Sequence, residues 1–177
     1  RDGILKRTSE GQRLACLCAE ADLRLYAVLV DDATGELTIA RAKLSKPRYP
    51  SLTPQCPQAH LFEREIAEQF GIVPEGHPWF KPVRYHRPWV EGREAWKELE
   101  PAVTDFFRVE GEEVHEVAVG PVHAGVIEPG HFRFQCHGET VFHLEIALGF
   151  QHRGIERTLR GGPHPLSLKH SETACGD

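Results

Sequence analysis

A chain of 177 residues with 40% hydrophobic and 27% charged positions has room for one domain or two small ones. Its net charge of −5, pI near 6.1 and lack of a basic stripe give no reason to expect a nucleic-acid partner. No apolar run approaches the ~20 residues that a spanning helix needs, and no signal-peptide pattern opens the sequence.

The first third reads as helix, strand, turn, strand. Ser9 is expected to begin a helix whose buried stripe is Leu14, Leu17, Cys18 and Ala21. On that helix Cys16 and Cys18 would point to different faces. Leu23 to Val30, LRLYAVLV, is apolar enough for a strand covered on both faces. Asp31-Asp32-Ala33-Thr34-Gly35 is turn chemistry, and Glu36 to Ala42 alternates as a second strand with Leu37 and Ile39 on one side.

Ala59 to Pro82 organises the middle of the chain. Phe62, Ile66 and Phe70 stand four apart with Ala59 and Ala67 beside them, which predicts an amphipathic helix. Glu63, Arg64, Glu65, Glu68 and Gln69 are expected on its solvated face. Thr53-Pro54 offers an N-cap with proline at the first helical position. Gly71 stands where a left-handed residue ends a helix, and two prolines and a glycine within Ile72 to Pro78 make a rigid loop. The helix is expected to pack on the hairpin of Leu23 to Ala42, giving an α+β layer that ends near His86-Arg87-Pro88. From Trp89 to Glu113, Trp89, Trp96, Phe106 and Phe107 alternate with charges. That mixture suits a linker or strap lying across a surface.

The second half is rich in β-structure. His131 to His137 and Thr140 to Ile146 both alternate, with Gly138-Glu139 between them, which predicts a hairpin. Bringing Phe132, Phe134 and Cys136 onto one face with Phe142, Leu144 and Ile146 requires an odd loop or a bulge. Gly138 is the residue able to take positive φ there. The five cysteines, odd in number and without C-x-x-C spacing, read as reduced thiols, not a disulfide framework, a structural zinc or an iron–sulfur set. The histidines crowd the second half, but no H-E-x-x-H supports a zinc site. The chain has no methionine and is read as a piece of something longer.

Phe62-Glu63-Arg64-Glu65, Phe70-Gly71-Ile72 and Gly76-His77-Pro78 together resemble the signature of the 30-kDa subunit family of respiratory complex I. The same domain is fused to a large subunit in membrane-bound hydrogenases of the formate-hydrogenlyase type, and Tyr49-Pro50-Ser51-Leu52-Thr53-Pro54 resembles that fused branch. Val119-Gly120-Pro121-Val122-His123, Glu128-Pro129-Gly130-His131-Phe132-Arg133 and His152-Arg153-Gly154-Ile155-Glu156 resemble the start of the complex I 49-kDa subunit, one family with the nickel–iron hydrogenase large subunit. The resemblance implies three parts: a 30-kDa-like domain over residues 1–88, a linker or strap over 89–113, and the N-terminal part of a large-subunit-like domain over 114–177.

It also implies roles. Glu128 matches a proton-passing glutamate beside the metal centre of hydrogenases, a catalytic candidate together with Arg153. His131, or its rival His123, matches a quinone-pocket histidine. Glu156 matches a glutamate that helps bind a magnesium-type ion, and Cys175-Gly176 matches the start of a Cys-Gly-x-Cys nickel ligand pair. The implied cofactors are quinone and possibly nickel–iron in the parent protein, with iron–sulfur clusters in a neighbouring subunit. The implied partners are other subunits of an NADH dehydrogenase-like or hydrogenase-like electron-transport complex. The chain itself would have no membrane span and would lie at the cytoplasmic face of the inner membrane. The rival expectation is a scaffold subunit that has lost quinone and nickel chemistry.

Overall fold

The computed structural model describes residues 1–97, 107–121, 129–150, 152–159 and 164–175. They fall into two compact units, Arg1–Asp105 and Phe106–Asp177. Helices and antiparallel sheets are mixed, so the fold is α+β as the sequence predicts.

Unit 1 opens with α1 (Asp2–Ser9), whose acidic first turn and basic last turn suit the helix dipole. The helix predicted from Ser9 is instead strand β1 (Arg13–Ala19). The cause of the misreading is a bulge. The register of β1 against β2 (Arg24–Asp31) slips between Leu14 and Cys16. One extra residue there turns Leu14 and Leu17 to the same side and mimics helical spacing. Both are buried, as is Ala19. Cys16 and Cys18 therefore share the outer face, and burial together with the adjacent Cys16 thiol pushes the Cys18 pKa up. Strand β3 (Glu36–Lys43) completes the three-stranded order β1-β2-β3 through the expected turn. Asp31 Oδ1 accepts from the N–H groups of Ala33 and Thr34, and Gly35 lies at φ 73°.

Strands β4 (Arg48–Pro50) and β5 (Val73–Glu75) pair in parallel, and α2 (His60–Phe70) crosses between them. The predicted N-cap at Thr53 is not used. A 3-10 turn, Pro57–Ala59, leads into α2, with Pro57 at its first position. Ile66 is buried together with Ala59, Leu29, Leu52 and Ile72 in one cluster, Phe62 and Phe70 pack at its edge, and Ala67 is buried as well. The principal strand neighbour of α2 is β1, not the β2–β3 hairpin.

Gly71 ends α2 at φ 62°, and a Cβ there would stand 2.0 Å from the Arg93 carbonyl oxygen. The stretch after Pro88 is held at that point: the Trp89 N–H donates to the Gln69 carbonyl at 2.7 Å, and the Arg93 guanidinium to the Ala21 carbonyl at 2.8 Å. Gly35→Ala and Gly71→Ala both incur a left-handed backbone penalty of about 1–2 kcal/mol, but a Cβ at Gly35 meets nothing. Gly71→Ala is therefore expected to cost roughly 1–3 kcal/mol more than Gly35→Ala in urea melts, the overpacking increment. Equal costs would mean that residues 89–93 do not hold this position.

Unit 2 is the sheet β6 (Val114–Val119), β7 (His131–His137) and β8 (Thr140–Ala147), followed by short helices α3 (Ile155–Thr158) and α4 (Ser167–Cys175). The β7–β8 hairpin contains the bulge its pattern requires. His137 pairs with Thr140 and Cys136 with Val141, then the register shifts so that Phe134 faces Leu144 and Phe132 faces Ile146. Phe142 is the extra residue, and Gly138 takes φ 56° in the turn. Opposite the phenylalanines, the buried side chains are polar. Gln135 and Glu145 accept from the Val109 and Phe107 N–H groups, and Gln135 donates to Glu116 at 2.6 Å.

Candidate functional site

The expected solvated face of α2 is the densest polar site among the described residues. Glu63 is 0% exposed, Glu68 2% and Arg64 7%, so these three charges lie inside the unit. Each has its partners, as a buried charge requires. The Glu63 carboxylate accepts from the Ser51 hydroxyl at 2.6 Å, the Leu52 N–H at 2.7 Å, and the Thr53 hydroxyl and N–H at 2.6 and 3.2 Å. The Glu68 carboxylate accepts from three successive backbone N–H groups, those of Val83, Arg84 and Tyr85, the last at 2.6 Å with φ 60°. Such a run of converging amides forms an anion nest. Arg64 donates to the carbonyls of Lys81 and Pro82, both at 2.7 Å. One helix thereby fixes two loops, residues 51–53 on one side and 81–85 on the other.

The sequence holds a trace of this that the apolar count passes over. Glu63 stands four after Ala59, three before Ile66 and four before Ala67, so it falls on the same helical stripe as those buried residues. The Ser51 and Thr53 hydroxyls just upstream are the partners it needs.

Around this network the electrostatics follow from burial. The Tyr49 phenol is pushed far above its ordinary value by burial and the neighbouring Glu63. Burial lowers the Arg64 guanidinium from its ordinary value, opposed by Tyr85 and Glu68. His60 is pulled down to about 4, first by burial and then by the Arg64 and His77 charges. His60 Nε2 lies 3.1 Å from Arg64, and the His77 ring lies 5.0 Å from it. The His77 ring in turn contacts Phe80, which stacks on Trp96 at 4.6 Å. The His60 shift makes stability depend on pH. Between its ordinary value of 6.5 and about 4, the unfolded chain binds the extra proton, so stability rises with pH. The contribution is full above that window and is lost as pH falls through it. His60→Gln is expected to flatten the drop in melting temperature across this window relative to the native chain. Parallel curves would exclude His60 as the titrating group.

The residues that the resemblance selects lie in unit 2. His123 and Glu128 are outside the described residues, but the ends of their loop are not. Val119 pairs with Phe132, and a Cβ on Gly120, at φ 86°, would meet the Gly130 carbonyl oxygen at 2.0 Å. Only glycine allows that approach, and the loop therefore leaves and re-enters one end of the sheet. His131 begins β7 there, half-buried, with Nδ1 3.2 Å from the Gly120 carbonyl oxygen. Arg153 lies just before α3 and donates to the Thr173 carbonyl at 2.8 Å. That contact joins α3 to the last turn of α4, where Cys175 is the final residue. Glu156 is in the first turn of α3 and exposed. The candidates thus occupy two places in the unit: His131 at the sheet end, and Arg153, Glu156 and Cys175 on the helix pair. Among the described residues no three His, Cys, Asp or Glu side chains come together as a metal-ligand group, so no metal step is derived from them. No helix among the described residues is long and apolar enough to cross a membrane.

The sequence pattern of the family described as respiratory-chain NADH dehydrogenase, 30 Kd subunit, matches residues 4–106, and the chain belongs to that family. It is similar to formate hydrogenlyase subunit 5 of Escherichia coli (strain K12), at 31% identity over 147 residues, covering 75% of this chain and 26% of the relative. Hydrogenase-4 component G of the same organism is 31% identical over 142 residues, covering 72% and 25%. The C/D subunit of NADH-quinone oxidoreductase from Bacteroides fragilis is 26% identical over 149 residues, covering 69% and 28%. The chain spans about a quarter of the length of these curated relatives.

Proposed function

We propose that the chain is the 30-kDa-like domain and the beginning of the large-subunit-like domain of a fused subunit. The subunit would serve a membrane-associated electron-transfer complex of the NADH-quinone oxidoreductase or formate-hydrogenlyase kind. In this reading it sits in the peripheral arm, at the cytoplasmic face of the membrane. It lies beside an iron–sulfur subunit and reaches the membrane through its partners. The observation that carries the reading is continuity. Similarity to subunits from both kinds of complex covers about three-quarters of the chain, more than residues 4–106 alone contain.

Unit 1 is then a docking module built around its buried charges. Unit 2 contributes the loop between Gly120 and His131 to the reaction centre. Within that loop Glu128 passes a proton, and His131 or His123 faces the quinone. Arg153 is a positioning residue, tying α3 to the end of α4. Glu156 and Cys175 remain candidate metal ligands, and the described residues supply no complete set for a nickel–iron centre.

Glu128→Gln tests the reading in the assembled complex. Glutamine keeps size and hydrogen bonding but removes titration. A proton relay at this position predicts intact assembly and a turnover slowed about a hundredfold or more. Glu139→Gln, at the exposed hairpin turn, is the control and should leave turnover unchanged. Wild-type turnover in an assembled Glu128→Gln complex would remove the relay and favour a scaffold subunit without quinone or nickel chemistry.

A further inference from the structure

Unit 1 encloses a cavity of about 340 Å³ between α1 and the sheet, within the size range of small-molecule sites. Its walls are apolar, with Ile4, Leu25, Ala27, Ala40, Leu44 and Leu52 among them. Three arginines border it, Arg1, Arg7 and Arg41, and no carboxylate lines it. In a chain of net charge −5 that is a marked local sorting of charge.

The arginines are not taken up by nearby acids. Arg41 is exposed and forms no ion pair among the described residues. Among the described residues Arg7 donates only to neutral oxygens, Gln12 Oε1 at 3.4 Å and Thr38 Oγ1 at 3.5 Å. Arg1 donates to Gln55 Oε1 at 3.1 Å, and its one acidic neighbour among the described residues is Asp2 at 4.0 Å, whose side chain is 95% exposed. Arg7 reaches β3 at Thr38 on its inner face, whereas Arg41 alternates with Ala40 and shares the outer face with Ile39. The helix over the cavity is lightly held. No α1 residue is fully buried, and Ile4 and Leu5 only pack at the edge of the core. An apolar chamber under a partly exposed helix, with cations but no acids at its border, fits a ligand with a hydrocarbon body and one negative end. A sugar or nucleotide would lose its hydration against these walls without replacement hydrogen bonds.

We propose that this cavity binds a single-chain fatty carboxylate, its hydrocarbon against the β2–β3 wall and its head group on Arg1 and Arg7. The site lies in unit 1 and does not depend on the assignment of the redox loop.

The test is calorimetric titration of the 177-residue chain with dodecanoate below its micelle concentration, beside dodecanol and dodecylamine. Saturable one-to-one binding of dodecanoate is expected, with dodecanol weaker and dodecylamine not bound. Arg1→Gln with Arg7→Gln should weaken dodecanoate tenfold or more and leave dodecanol unchanged. Ala40→Phe fills the chamber and should abolish binding of both, with circular dichroism reporting the fold. If that variant does not fold, Ala42→Phe takes its place. Bound dodecanoate should also slow amide exchange in α1. Absence of saturable dodecanoate binding overturns the proposal, as does unchanged binding to a folded phenylalanine variant. Equal affinity for dodecanoate and dodecanol, or for dodecylamine, overturns the carboxylate assignment.

Discussion

Glu63→Ala is expected to cost unit 1 about 3–5 kcal/mol, the range for removing one member of a buried, hydrogen-bonded charge arrangement. The reason is what remains. With the carboxylate gone, the hydroxyls of Ser51 and Thr53 and the N–H groups of Leu52 and Thr53 lose their common acceptor in a place where Glu63 itself was 0% exposed. Glu63→Gln should cost less, about 1–3 kcal/mol, because one oxygen still accepts while the amide turns N–H groups toward donors. Urea melts of the three proteins give the comparison. An alanine variant within half a kcal/mol of the native chain would show that water takes over these donors without penalty. The same substitution should free residues 51–53, the turn between β4 and the 3-10 turn ahead of α2, and speed their amide exchange. In the docking-module reading, a loosened unit 1 would weaken assembly even where unit 2 is untouched.

The places where sequence pattern and structure part company are instructive because each has a local cause. The β2–β3 hairpin, the α2 helix, the Gly71 stop and the β7–β8 hairpin were legible, since their apolar periods were unbroken and their turns carried glycine or aspartate. Even the bulge at Phe142 followed from parity, because two apolar faces cannot meet across a two-residue turn without one extra residue. The helix expected from Ser9 failed for the same physical reason in reverse. A bulge beside Leu14 converts a strand's period of two into an apparent three. The α2 charges were misplaced because their charge was read before their position. Glu63 belongs to the Ala59, Ile66, Ala67 stripe, and only the loop hydroxyls, close in space, make its burial tolerable. The Glu68 nest could not be read at all, since its donors are backbone amides of residues 83–85 held by a left-handed Tyr85. The residues of the candidate redox site rest on the family resemblance alone, and the structure adds the close approach of Gly120 to Gly130 and the tie from Arg153 to α4.

Ile66→Ala is expected to cost about 2–5 kcal/mol, the range for truncating a well-packed isoleucine. Ile39→Ala should change stability by about half a kcal/mol or less, as surface substitutions do. In the sequence both positions look alike, an isoleucine on the apolar side of an alternating or helical pattern. In the structure Ile66 is 2% exposed against Leu29 and Ile72, both at 0%, whereas Ile39 on the outer face of β3 is 71% exposed. The loss at Ile66 includes a cavity term, because the residues around it are held by other contacts. Ile72 leads into β5, Leu52 is held by its N–H on Glu63, and Leu29 sits in the central strand of its sheet. None can move inward without breaking a bond that the buried carboxylate or the sheet depends on. Denaturant melts of both variants decide the matter. A loss below half a kcal/mol at Ile66 would mean that α2 does not pack in this core. An equal loss at Ile39 would mean that the outer face of the sheet is covered in solution, which would identify it as part of an interface.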